Sequence, residues 1–158
     1  MNQPCLPEEL ISSTVFLLGK LGYTIKTEAM EQFERAGFNP YDYSVMAFLD
    51  ESARETQATV ADTLGVDRSQ LVGLLDGLEE RALIERRRDP NDRRRQMVSL
   101  TAAGRRELGK LRKMVKSLEE EFLAPLDDAE RETLHRLLLE IATHRDQRYV
   151  IPERVTVG

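Results

Sequence analysis

Residues 83 to 100 break the periodicity of everything around them. Up to Leu83 the apolar residues recur at helical spacing. In LIERRR and RQMVSL they alternate instead, and after Leu100 the helical spacing returns. Between the two alternating runs stands DPND, where proline and Asx residues favour a chain reversal. The pattern predicts one β-hairpin with a charged tip in a chain that is otherwise helical. Composition agrees, since β-branched and aromatic residues are sparse while Leu, Glu, Arg and Ala abound.

The helical segments on either side can be ordered from their caps. Residues 7–36 read as one long helix, opened by Pro7, Glu8 and Glu9, striped by Leu10, Ile11, Val15, Leu18, Leu21 and Ile25, and stopped by Gly37. Asn39 and Pro40 then suit the start of a shorter helix with Tyr43, Met46 and Leu49 on its apolar side. In TQATVADTLGVDRSQLVGLLDGLEE two short helical patterns flank Gly65. Ala61, Gly65 and Leu71 have the spacing of a helix-turn-helix: a small residue at the contact, a glycine for a left-handed turn, and an apolar anchor. Asp67, with Gln70 three residues on, caps the second helix in a variant of the capping box. Thr101 caps a further long helix, where Leu108, Leu111, Val115, Leu118 and Phe122 follow a coiled-coil seam. Pro125 and DDAE separate it from a last helix striped by Leu134, Leu137, Leu138 and Ile141, and RYVIPERVTVG reads as an irregular tail. The fold class is therefore mainly α: a winged helix-turn-helix with a β-hairpin wing, flanked by long N- and C-terminal helices. Their stripes are too extensive for a small core, which predicts that two chains bury them together.

Charge is segregated along this order. The chain has a net charge of −5, yet from Arg81 to Lys113 the balance is +8, leaving −13 for the rest. An acidic protein that binds duplex DNA needs such a local basic element, because affinity comes largely from phosphate neutralisation and counterion release. Glycine-rich phosphate loops, metal-ligand clusters and nucleophile–base pairs are not visible, which argues against an enzyme and for no metal or other cofactor. His135 and His144 lack zinc-ligand neighbours. VFLLG is too short to cross a bilayer, and MNQPCLPEEL has no basic region or long apolar run. With one cysteine, Cys5, these features predict a cytoplasmic protein with no membrane partner.

DPNDRRRQMVSLTAAG, together with VADTLGV and LEERALIERR, resembles the MarR family of transcription regulators. The resemblance extends over most of the chain, and its most specific motifs lie between residues 56 and 104. It implies residues 1–38 as an N-terminal dimerisation helix, 39–104 as a winged DNA-binding domain, and 105–158 as C-terminal dimerisation helices. It further implies a homodimeric repressor of a palindromic operator, released by a small phenolic or lipophilic effector. Arg94 would enter the minor groove, Asp92 would hold it, and Arg93 or Arg95 would meet phosphates. Ala82 departs from the family pattern, which usually has glycine there, and Gly73 and Gly77 stand where polar or basic residues are common.

Within the second helix, Leu71, Leu74, Leu75 and Leu78 form the apolar face, so Arg68, Ser69, Gln70, Val72 and Gly73 are expected to meet DNA, with Val72 suited to a thymine methyl. Leu10, Leu108, Leu111, Val115, Leu118 and Phe122 are the expected dimer contacts. Phe16, Tyr23, Tyr41 and Tyr43 gather where the family places its effector crevice. Two other readings stand beside this one: a winged-helix architectural or protein-interaction module without an effector, and a thiol-redox regulator acting through Cys5.

Overall fold

The computed structural model describes residues 5–150. The chain divides into two compact units, residues 1–118 and 119–158.

In the first unit, helix α1 (Glu8–Ile11) is separated from α2 (Thr14–Arg35). The single long helix expected over 7–36 is thus broken at Ser12 and Ser13. The physical reason is the cap: Ser13 is extended and its hydroxyl accepts from the Phe16 backbone N–H at 3.3 Å. Helix α2 ends in a Schellman turn, in which Gly37 adopts φ +75° and the N–H groups of Gly37 and Phe38 donate back to Glu34 and Phe33. Helix α3 (Pro40–Ser52) follows at once, with Asn39 and Asp42 forming a reciprocal capping box. Burial pushes the Asp42 carboxyl above its ordinary value, against the opposing bonds from Asn39 and the nearby charge of Arg81.

Strand β1 (Glu55–Thr56), helix α4 (Gln57–Leu64), helix α5 (Arg68–Glu80) and strands β2 (Ile84–Arg88) and β3 (Gln96–Leu100) complete the winged domain. The sheet order is β1-β3-β2, all antiparallel, with Ile84 opposite Leu100 and Arg88 opposite Gln96. The hairpin matches its sequence pattern. Strand β1 was not legible there, because two residues carry no period. Gly65 turns between α4 and α5 at φ +63°, the conformation the helix-turn-helix spacing asks for. Val45, Met46, Leu49, Val60, Leu71, Leu75, Leu78 and Val98 fill the core, each buried leucine contributing about 2 kcal/mol.

Helix α6 (Ala102–Phe122) begins under Thr101, whose hydroxyl accepts from the Gly104 N–H at 3.0 Å. Here a second expectation is corrected. Leu108 and Leu111 are buried in the winged domain's own core, and Val115 packs partly against it. A 3-4 spacing marks a buried stripe without saying whose core buries it. Leu108 and Leu111 are thus buried by their own chain, and Val115 lies at the edge of that core. Leu118 and Phe122 are half-buried.

In the second unit, helix α7 (Asp128–Arg145) opens with a capping box between Asp127 and Glu130. Arg131 Nε donates to the carbonyls of Leu123 and Leu126, fixing the preceding turn. Leu137, Leu138 and Ile141 are exposed on α7, and a short 3-10 turn (Gln147–Tyr149) follows. Among the described residues, no helix is long and apolar enough to cross a membrane.

Candidate nucleic-acid interface

Start at the base of the wing, where the chain leaves α5. The N–H groups of Ala82 and Leu83 donate back to Glu79 and Leu78, so Ala82 takes the left-handed position of another Schellman turn at φ +55°. This explains physically why glycine suits that position. Thr101 Oγ1 donates to the carbonyls of Ala82 (2.7 Å) and Leu83 (3.0 Å), locking the start of α6 onto the same corner. A methyl group on Gly104 would lie 2.1 Å from the Leu83 carbonyl oxygen, so the Leu-Thr-x-x-Gly pattern describes a close backbone approach.

The arginines of the basic segment then separate into two sets. Arg86 is mostly buried, with its side chain 18% exposed. Its N–H donates to Glu79 Oε1 at 3.1 Å, its Nε to Glu79 Oε2 at 2.9 Å, and its Nη2 to Asp76 Oδ1 at 2.6 Å. The Glu79 carboxyl is held below its ordinary value by these bonds from Arg86. Arg81 lies 3.9 Å over the Phe38 ring and donates to the Gly37 carbonyl at 2.8 Å, pinning the end of α5 to the corner after α2. Arg105 and Arg112 both pair with Asp50. These four hold the fold together.

The second set is open. Among the described residues, Arg68, Arg88 and Arg93 have no acidic partner. At the hairpin tip, the Asn91 N–H donates to Asp89 Oδ1, and the Arg95 N–H donates to the Asp92 carbonyl. Asp92 Oδ1 accepts from both the backbone N–H of Arg94 (3.1 Å) and its Nε (3.2 Å), and Asp92 also pairs with Arg95 at 3.7 Å. The Arg94 side chain remains 93% exposed, so its stem is steered while its head stays open.

A cleft of about 580 Å³ runs between the tip and the helices, lined by Thr56, Gln57, Arg68, Val72, Arg94 and Arg95 among others. The fold thus brings together Arg68, Val72, Arg94 and Arg95 of the residues singled out in the sequence. Asp67 accepts from the N–H groups of Ser69 and Gln70 and from the Ser69 hydroxyl, which caps α5 and holds its carboxyl below its ordinary value. Ser69 and Gln70 are exposed beside the cleft, and Gly73 faces open space. Thr56 and Gln57 escaped the sequence reading. The available signal was Thr56 as cap of α4, where it accepts from the Thr59 N–H.

The four aromatic residues differ in their surroundings. Tyr23 and Tyr41 are exposed, Phe16 lies under Lys20, and Tyr43 packs at 5.6 Å on Phe33 at the edge of the core. None of the four lines the cleft. Cys5 is exposed and free. Among the described residues, no group of His, Cys, Asp or Glu could hold a metal ion.

A helix-turn-helix with an arginine-tipped wing and an open basic cleft between them defines a winged-helix DNA-binding protein. The MarR family model matches residues 36–95. The "Putative transcriptional regulatory protein for hcr operon" of Thauera aromatica is 33% identical over 130 residues, covering 77% of this chain and 78% of the relative. A MarR-family regulator from Rhodococcus sp. RHA1 shares the fold with a TM-score of 0.73 at 31% identity, over 86% of this chain and 96% of that one. CouR bound to a 23-mer DNA duplex aligns with a TM-score of 0.78 at 29% identity, over 89% of this chain and 99% of that one. CouR from Rhodococcus jostii RHA1 has also been solved with p-coumaroyl-CoA, at 31% identity and a TM-score of 0.70, over 86% of this chain and 96% of that one. The chain belongs to the MarR family and is a DNA-binding transcriptional regulator.

Proposed function

We propose that the protein is a homodimeric repressor that reads a palindromic operator and is released by a small aromatic or lipophilic molecule. The observation that carries the reading is the basic cleft between α5 and the wing tip. With α5 in the major groove and Arg94 in the adjacent minor groove, the backbone strand between the grooves runs through that cleft. Arg68, Arg93 and Arg95 then meet phosphates, and Thr56 and Gln57 offer further polar contacts. Arginine suits the minor-groove role because its planar head is weakly hydrated and tolerates a narrow electronegative slot.

Dimerisation draws support from the exposed apolar residues Leu10, Ile11, Val15, Leu17, Leu18 and Leu21 of α1 and α2. In the second unit Leu137, Leu138 and Ile141 are similarly uncovered. A two-fold dimer would set two α5 helices roughly 34 Å apart, one DNA turn. The effector draws support from CouR with p-coumaroyl-CoA, which recommends aromatic acyl thioesters as the first compounds to try.

Selection from a random duplex library tests the reading. A two-fold motif, weakened in binding by an aromatic acyl-CoA, is the expected outcome. Binding without sequence preference would favour the architectural module. A folded monomer at micromolar concentration by light scattering would remove the dimer.

A further inference from the structure

The buried stripe Leu71, Leu75, Leu78 fixes which side of α5 points outward. At 3.6 residues per turn, Ser69, Gly73 and Asp76 fall on the opposite side. Asp76 is an acceptor-only group on that side; its side chain is 51% exposed, and its Oδ1 is held by Arg86 at 2.6 Å. Arg86 is itself fixed by Glu79, so it orients Asp76 as a strut from strand β2 and is not an open cation. A Cβ built on Gly73 or Gly77 would meet nothing within 4 Å, so the flanks of Asp76 are bare.

We propose that Asp76 is a specificity-determining residue, whose Oδ2 accepts a hydrogen bond from the exocyclic amino group of a cytosine in the major groove. The inference rests on α5 being the reading helix. Cytosine is preferred over adenine on the chemistry of the base edges. The adenine N6 amino group lies between two acceptors, its own N7 and the thymine O4, and both repel a carboxylate. The cytosine N4 amino group has an acceptor on one side only, the O6 of guanine. Arg86 has two effects here. It fixes the carboxylate direction, and it offsets part of the repulsion from nearby phosphates. The bare glycine flanks let the helix approach closely enough for this short side chain to reach a base.

The test selects duplexes from a random library with the wild-type protein, Asp76→Ala and Asp76→Asn. The wild type should prefer cytosine roughly tenfold at one position of each half-site. Asp76→Ala should lose that preference alone, keep the rest of the motif, and bind random duplex more tightly because a negative charge is gone. Asp76→Asn should shift the preference toward adenine, since a carboxamide donates to N7 and accepts from N6. It also retains an acceptor for Arg86, and so stays informative if the alanine variant is poorly folded. An unchanged motif with Asp76→Ala, or a wild-type motif without that cytosine, overturns the proposal while leaving α5 as the reading helix. A wild type that selects no motif overturns both.

Discussion

The two ends of the wing are built from the same residue type and behave oppositely. At the base, half-buried Arg86 is locked between Asp76 and Glu79, Thr101 bonds two carbonyls, and Gly104 sits against backbone. At the tip, Arg93 has no acidic partner and Arg94 stands almost wholly in solvent. What separates the two ends is burial of the guanidinium: Arg86 is locked between two helix carboxylates, whereas Asp92 steers Arg94 and leaves its head in solvent. On the proposed function, the base then governs stability and the tip governs DNA binding.

Breaking the base should have the largest effect. Gly104→Ala forces a methyl group onto the Leu83 carbonyl and should cost about 3 kcal/mol in urea unfolding, since the obstacle is backbone and cannot rotate away. An unchanged midpoint would show that the corner is looser than its geometry. Next comes the tip, where Arg94→Ala should cost roughly 2 kcal/mol of binding to a selected duplex and leave unfolding unaltered. The sign for Asp92→Ala sharpens this. Charge alone predicts tighter binding, whereas loss of the bonds that steer Arg94 predicts weaker binding, and weaker is expected.

Arg86→Ala should destabilise by about 1.5 kcal/mol, because charge-assisted bonds to Asp76 and Glu79 are lost. The effect should also depend on pH. Arg86 lowers the Glu79 carboxyl in the folded state, so this stability is complete above the ordinary carboxylate range and disappears as pH falls through the lowered value. The wild type and Arg86→Ala should therefore converge in stability in acid, which chemical denaturation across pH would show. The smallest effect is a gain. Ala82→Gly relieves a left-handed alanine and should raise stability by about 1 kcal/mol, less whatever the freer unfolded chain takes back.

What was legible in the sequence was local. Asn39, Asp67 and Thr101 cap helices through bonds spanning two or three residues, and Gly37 and Gly65 mark turns by their own conformational freedom. The wing was readable because strand alternation and turn chemistry coincide. Features that depend on distant partners were hidden. Strand β1 exists only through pairing with β3, and Leu108 and Leu111 show one spacing whichever chain buries them. The count of positive charge from Arg81 to Lys113 could not separate structural arginines from open ones, because Arg112 finds Asp50 and Arg81 finds Gly37 across the fold. The same limit applies to Thr56 and Gln57, which join the cleft only when α4 stands beside the wing.

The most direct test of the division between base and tip is a variant in which Arg93, Arg94 and Arg95 are all alanine, measured for thermal unfolding and for duplex binding against salt. The account predicts stability within about 0.5 kcal/mol of the wild type, as for open surface positions. It also predicts loss of duplex binding, with any residual binding showing a salt slope shallower by about two to three. A triple variant that binds a selected duplex like the wild type, or that unfolds much more readily, would contradict it.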